Sequence, residues 1–135
     1  MVPKEYKTAG TLMMVAGLFN IMMSLLIEFI LCIYVSAFAI ATLGFGCIGY
    51  FCMLWPLLQL IMGIIETITG YQAMNGQPVP NAKAVSIGGI VIGVMNFSMI
   101  PVIMEVFAML QFQDDKVVAW LEGSSIDAID SIDSI

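Results

Sequence analysis

The stretch that decides the fold is residues 9–43, AGTLMMVAGLFNIMMSLLIEFILCIYVSAFAIATL, whose only strongly polar members are Asn20 and Glu28. Read as one helix at 1.5 Å per residue, residues 9–40 would extend ~48 Å. A bilayer's hydrocarbon core is about 30 Å thick. The helix must therefore tilt, project beyond the bilayer, or break near residues 36–42. On its N-terminal side the chain reads Met1-Val-Pro-Lys4-Glu5-Tyr6-Lys7. The apolar run that follows is too long for a cleaved signal peptide, so the first segment is expected to stay as a transmembrane helix. On its C-terminal side Gly44, Gly46 and Gly49 mark a tight, uncharged turn.

The rest of the chain extends this reading. Of 135 residues, 61% are hydrophobic and 10% charged, with mean hydropathy +1.02. Soluble domains carry about 25% charged residues. Four lysines and ten acidic groups cannot cover a fold of this size with polar surface. Neither Arg nor His is present. The expected class is all-α, an integral membrane helical bundle of three to four transmembrane helices plus a short amphipathic C-terminal helix. One transmembrane domain is expected over residues 1–123, followed by an acidic tail over 124–135.

The second span is expected from about Tyr50 to Gly70, with Pro56 near its start. Residues 75–81, NGQPVPN, form the clearest polar loop. Residues 84–112 read either as one tilted helix or as two short ones. Asn96-Phe97-Ser98, with Pro101 just beyond, offers the turn for the second reading. Charge favours that reading: with four spans Lys4, Lys7, Lys83 and Lys116 all fall on one side, as the positive-inside rule asks. Both termini would then share that side. Trp55 and Trp120 suit a membrane interface.

After the last span, Asp114 is a good N-cap and Gly123 a good helix-ending residue. Between them Val117, Val118, Trp120 and Leu121 share one arc and Asp115, Lys116 and Glu122 the other. That pattern suits a helix lying on a membrane surface, or a solvated last turn of the preceding helix. In residues 126–135 Ile and Asp each recur every third residue. This is read as a disordered acidic tail, or as a segment that docks on a protein partner or a sister subunit.

No catalytic constellation, glycine-rich phosphate loop or metal-ligand cluster is visible, so no enzyme, cofactor or metal is expected. A net charge of −6 without a basic patch excludes nucleic-acid binding. Cys32, Cys47 and Cys52 read as small buried hydrophobes, with a bridge between Cys47 and Cys52 conceivable only in an oxidising compartment. The chemically loaded residues are the intramembrane polar groups Glu28, Glu66, Glu105, Asn20 and Asn96. Glu66 lies near the expected inner interface, which leaves Glu28 and Glu105 as the stronger candidates. A packing or subunit-contact role ranks ahead of ion or proton conduction. Ala84, Gly88, Gly89 and Gly93 place small residues one turn apart, as close helix contacts in lipid require. Ala37 and Ala41 do the same in the first span.

Residues 7–21, KTAGTLMMVAGLFNI, and 55–70, WPLLQLIMGIIETITG, resemble the first and second spans of the CD20-like (MS4A) tetraspan family. Residues 63–66, GIIE, and 110–121, LQFQDDKVVAWL, also resemble small bacterial four-helix membrane proteins. The large extracellular loop of CD20 has no counterpart. In size, lack of Arg and acidic tail the chain is similar to the PopA-type proteins of predatory bacteria, ring-like helical oligomers that enclose lipid. The resemblance implies an oligomeric tetraspan bundle, multi-pass in a bacterial inner membrane, with an outer or target-cell membrane as alternatives. It implies no catalytic residues.

The expected function is that of a non-enzymatic, self-assembling membrane protein that organises or perturbs lipid, its partners being lipids and other copies of itself. The alternatives are an oligomeric channel or pore using the intramembrane carboxylates, and a membrane adaptor that recruits a partner through its tail. Assembly into a closed homo-oligomer is expected on one further ground: short spans look too thin to bury three carboxylates and two asparagines without subunit interfaces; a ring of five or more is a guess at its size, which the sequence does not give.

Overall fold

The computed structural model describes residues 1–42, 49 and 54–133, with residues 125–133 described as backbone only. Among the described residues there are five helices and no strand: α1 (Lys4–Ala41), α2 (Leu54–Met74), α3 (Ala82–Met95), α4 (Met99–Phe112) and α5 (Asp115–Asp133). Of these, α1 and α2 are long and apolar enough to cross a membrane. The helices α3 and α4 have 14 residues each. The expected glycine turn at Gly44 and Gly46, the cysteines Cys47 and Cys52, and Tyr50 lie outside the described residues.

The buried positions show why the helices associate. On α1 they include Tyr6, Gly10, Met13, Gly17, Asn20 and Ser24. On α2 they include Pro56, Gln59, Gly63, Glu66, Gly70 and Ala73. On α3 they are Ala82, Ser86, Gly89 and Gly93, and on α4 Pro101, Glu105, Ala108 and Phe112. Each series steps by alternating threes and fours, the 3.5-residue repeat of helices that cross at a shallow left-handed angle. What fills the repeat is unusual. Soluble coiled coils put Leu, Ile and Val there, whereas here small and polar residues predominate, with Tyr6, Met13 and Phe112 as the large members.

Helices α1 and α2 run antiparallel along this seam. A Cβ added at Gly10 would lie 2.8 Å from the Gly70 carbonyl oxygen, and one at Gly17 2.7 Å from that of Gly63. One further repeat along, Ser24 Oγ donates to the Pro56 carbonyl at 2.5 Å. The three pairs keep a constant register, with residue numbers summing to 80 (10 + 70, 17 + 63, 24 + 56). Backbone meets backbone at the first two, so no side chain fits there.

The register also divides α1. Its last buried residue is Ser24. Residues 25–41 continue as helix for ~25 Å, because neither Gly nor Pro interrupts them. They expose Leu25, Phe29, Ile33, Tyr34 and Phe38, ending at Ile40 with 80% exposure. The helix ends at Ala41, inside the 36–42 window where a break is expected.

Residues 84–112 form a helical hairpin, α3 and α4, turning at Asn96-Phe97-Ser98. Ser98 N–H donates to Gly93 O at 2.9 Å and Phe97 N–H to Val94 O at 3.1 Å. This is the Schellman arrangement, which needs a left-handed residue. Phe97 takes that place at φ 55. Helix α2 ends in the same motif. Gln77 N–H donates to Gln72 O and Gly76 N–H to Ala73 O, with Gly76 at φ 77. Gly70, the expected end of that helix, is instead a contact residue four positions before its last member.

At one end of the bundle Tyr6 ties several segments together. Its hydroxyl donates to Gln77 O at 2.7 Å and accepts from Val79 N–H at 2.9 Å. Its ring meets Phe112 edge-on at 5.7 Å and Trp120 at 4.8 Å. Glu5 and Lys116 face each other at 4.0 Å on the exposed rim. The N-terminus, the 75–81 loop and the start of α5 therefore lie at the same end.

Helix α5 departs from expectation. Asp114 caps it, accepting Lys116 N–H at 3.0 Å. Gly123 does not end it, and the helix continues to Asp133. A Cβ at Gly123 would meet nothing within 4 Å, so no close contact requires a glycine there.

Candidate functional site: a buried carboxyl pair

Along the seam the polar side chains form one internal cluster. Glu66 on α2 and Glu105 on α4 are both 0% exposed, as are Asn20, Ser24, Gln59 and Ser86. Asn20 reaches across from α1, and its Nδ2 donates to Glu66 Oε2 at 2.8 Å. Its Oδ1 accepts from Gln59 Nε2 at 3.4 Å. On the other side Ser86 Oγ donates to Glu105 Oε2 at 2.5 Å. Thr67 turns its hydroxyl to Gly63 O, 2.7 Å away, and takes no part in the cluster.

Gly89 on α3 lies against both acidic side chains, meeting the carboxyl of Glu66 and the Cγ of Glu105. A Cβ at this position would collide with Glu66 Oε1 and sit 3.2 Å from Glu105 Cγ. Both acidic side chains thus press against one glycine, where a larger residue would part them. Each has one oxygen satisfied, while Glu66 Oε1 and Glu105 Oε1 have no hydrogen-bond partner among the described residues. Gln59 Oε1, at the far end of the cluster, is in the same condition. No Lys is among the buried polar residues.

The structure distributes the sequence candidates unevenly. Asn20, Glu66 and Glu105 come together. Glu28 does not, lying one turn past Ser24 on the projecting half of α1, half-exposed. Asn96 sits in the α3–α4 turn, where its Oδ1 accepts from Trp55 Nε1 at 2.7 Å. Trp120 packs on Tyr6. Among the small residues, Gly89 and Gly93 are buried inside the chain, Gly93 against Val102. A Cβ at Gly88 would touch Met62 Cε at 2.5 Å, and Ala84 is exposed. Gly89 and Gly93, expected at close helix contacts, make such contacts within one chain. Of the three carboxylates and two asparagines expected to need subunit interfaces, Glu66, Glu105 and Asn20 are fully covered within one chain, while Glu28 and Asn96 are only partly buried. Cys32, expected to be buried, is exposed.

Ser86 and Gln59 escaped the sequence reading. A signal for both existed. Each lies on the 3.5-residue stripe of its helix, and each supplies or continues the hydrogen bonding that a buried carboxyl demands. Among the described residues no group of three His, Cys, Asp or Glu side chains is placed to hold a metal ion. Compared with known proteins, the chain matches no family model, no curated protein and no solved structure.

Proposed function

We propose that this chain is a multi-pass integral membrane protein that acts as a non-enzymatic, self-assembling scaffold and organises the lipid around it. The observation that carries the reading is the inversion of the bundle's polarity. Its interior holds Asn20, Gln59, Glu66, Ser86 and Glu105, while Leu18, Leu58, Ile64, Val91, Ile103 and Phe107 face outward. Water would reverse that arrangement, whereas lipid has no quarrel with it. From Tyr6 to Ser24 the bundle rises ~27 Å, close to the ~30 Å of a hydrocarbon core. Lys4, Lys7, Lys83 and Lys116 all belong to the Tyr6 end, which the positive-inside rule assigns to the cytoplasmic face.

Self-assembly rests on residues 25–41. If the bundle fills the bilayer, this apolar helix extends beyond it and needs a cover. Glu28 has no partner among the described residues and sits on the same segment. A neighbouring copy, with lipid held between copies, supplies both a surface for the apolar side chains and a polar contact for Glu28. The channel reading draws less support. In one chain the carboxyls are sealed, so a pore would have to lie between subunits and use Glu28. Native mass spectrometry from lipid nanodiscs tests assembly. A discrete homo-oligomer is expected, weakened by Phe29→Ala combined with Ile33→Ala. A monomer in mild detergent and in nanodiscs overturns the scaffold reading.

A further inference from the structure

We propose that Glu66 and Glu105 form a proton-binding site that holds one proton per chain, shared between Glu66 Oε1 and Glu105 Oε1. The argument is a hydrogen-bond count. Two carboxylates bring four acceptor oxygens and no donor. Asn20 Nδ2 serves Glu66 Oε2 and Ser86 Oγ serves Glu105 Oε2. The two remaining oxygens are buried and have no donor among the described residues. They belong to side chains that meet over the same glycine. One proton on either oxygen makes that group a donor to the other and satisfies both. With no proton, two like charges stand side by side away from water, an arrangement that proteins resolve by protonation. With two, one hydroxyl is left without an acceptor in the pair.

The surroundings offer no other remedy. Apart from the pair, the buried polar side chains among the described residues are all neutral: Asn20 and Ser24 on α1, Gln59 and Thr69 on α2, Ser86 on α3, and Ser98 at the start of α4. A hard metal cation takes about six oxygen ligands, and this cluster has two carboxyl oxygens to spare beside Gly89. The site belongs to the single chain, so it stands whether or not copies assemble.

Infrared spectroscopy of the full chain in detergent at neutral pH reads the proton directly, because a protonated carboxyl has a carbonyl stretch separate from the carboxylate bands. The measurement is made in a Glu28→Gln background, which leaves Glu66 and Glu105 as the only glutamates in the membrane-spanning region. The expected result is an acid band worth one proton per chain that disappears in Glu66→Gln/Glu105→Gln. Glutamate labelled with carbon-13 at the side-chain carboxyl should shift the band, which keeps the test valid if the double variant fails to fold. No acid band, or one worth two protons, overturns the proposal. A band that arises only after sodium, potassium and divalent ions are removed would assign the site to a cation and overturn it equally.

Discussion

Asn20 is the residue on which the internal cluster turns. It bridges Glu66 and Gln59, so Asn20→Ala strands a carboxylate oxygen and an amide N–H at once. Leaving buried polar groups unsatisfied costs about 1–3 kcal/mol, and unfolding in mixed micelles with increasing dodecyl sulfate should register that loss. Phe97 offers the opposite sign. It occupies, at φ 55 and 91% exposure, the left-handed position that Gly76 fills in the equivalent turn. A left-handed non-glycine residue costs roughly 1–2 kcal/mol, so Phe97→Gly should stabilise by about that amount in the same titration. A loss of stability would mean that the exposed ring has a contact outside the chain. At this scale the sequence was partly legible. Asn20, Glu66 and Glu105 stood out as polar groups in apolar runs. Their ranking is not legible, because a glycine followed by a polar loop, as at Gly70, has the signature of a helix end. That signature places Glu66 near an interface, when Gly70 is a packing glycine and the cap is Gly76.

The elements pack by a rule that the composition obscured. Four-residue spacings drew attention to Gly89 and Gly93, yet the longest contact in the fold uses seven-residue spacings, Gly10 to Gly17 and Gly63 to Gly70. Both patterns are visible in the sequence; what is not visible is which helix each small-residue face packs against. The α3–α4 turn was legible because Asn96, Ser98 and Pro101 all favour it locally. The helical course of residues 124–133 was not, since a serine- and aspartate-rich repeat has low helix propensity. Gly17→Ala would set its Cβ against the Gly63 carbonyl, which cannot move aside, and overpacking of this kind costs typically 1–3 kcal/mol. Gly123→Ala, in an open helical position, should instead stabilise by roughly 0.5–1 kcal/mol. Thermal melts of the two variants, followed by circular dichroism in one detergent, separate the classes.

At the scale of the whole molecule, one arrangement accounts for most of what is observed. Polar groups are gathered on the stripes where helices meet, and apolar groups are left on the outside. The proposed lipid environment accounts for this distribution, since lipid rewards close backbone packing and internal hydrogen bonds and demands no polar exterior. Residues 25–41 follow from the same composition and carry no fully buried side chain among the described residues, which is the basis of the proposed assembly. The direct test is the environment of the outward face. Spin labels placed singly at Ile64→Cys, Val91→Cys and Ile103→Cys, in a chain with Cys32, Cys47 and Cys52 changed to Ser, report collisions with oxygen and with a water-soluble nickel chelate. In reconstituted bilayers the account predicts high oxygen accessibility and low nickel accessibility at all three positions. Labels that collide freely with the nickel chelate would place this face in water and contradict it.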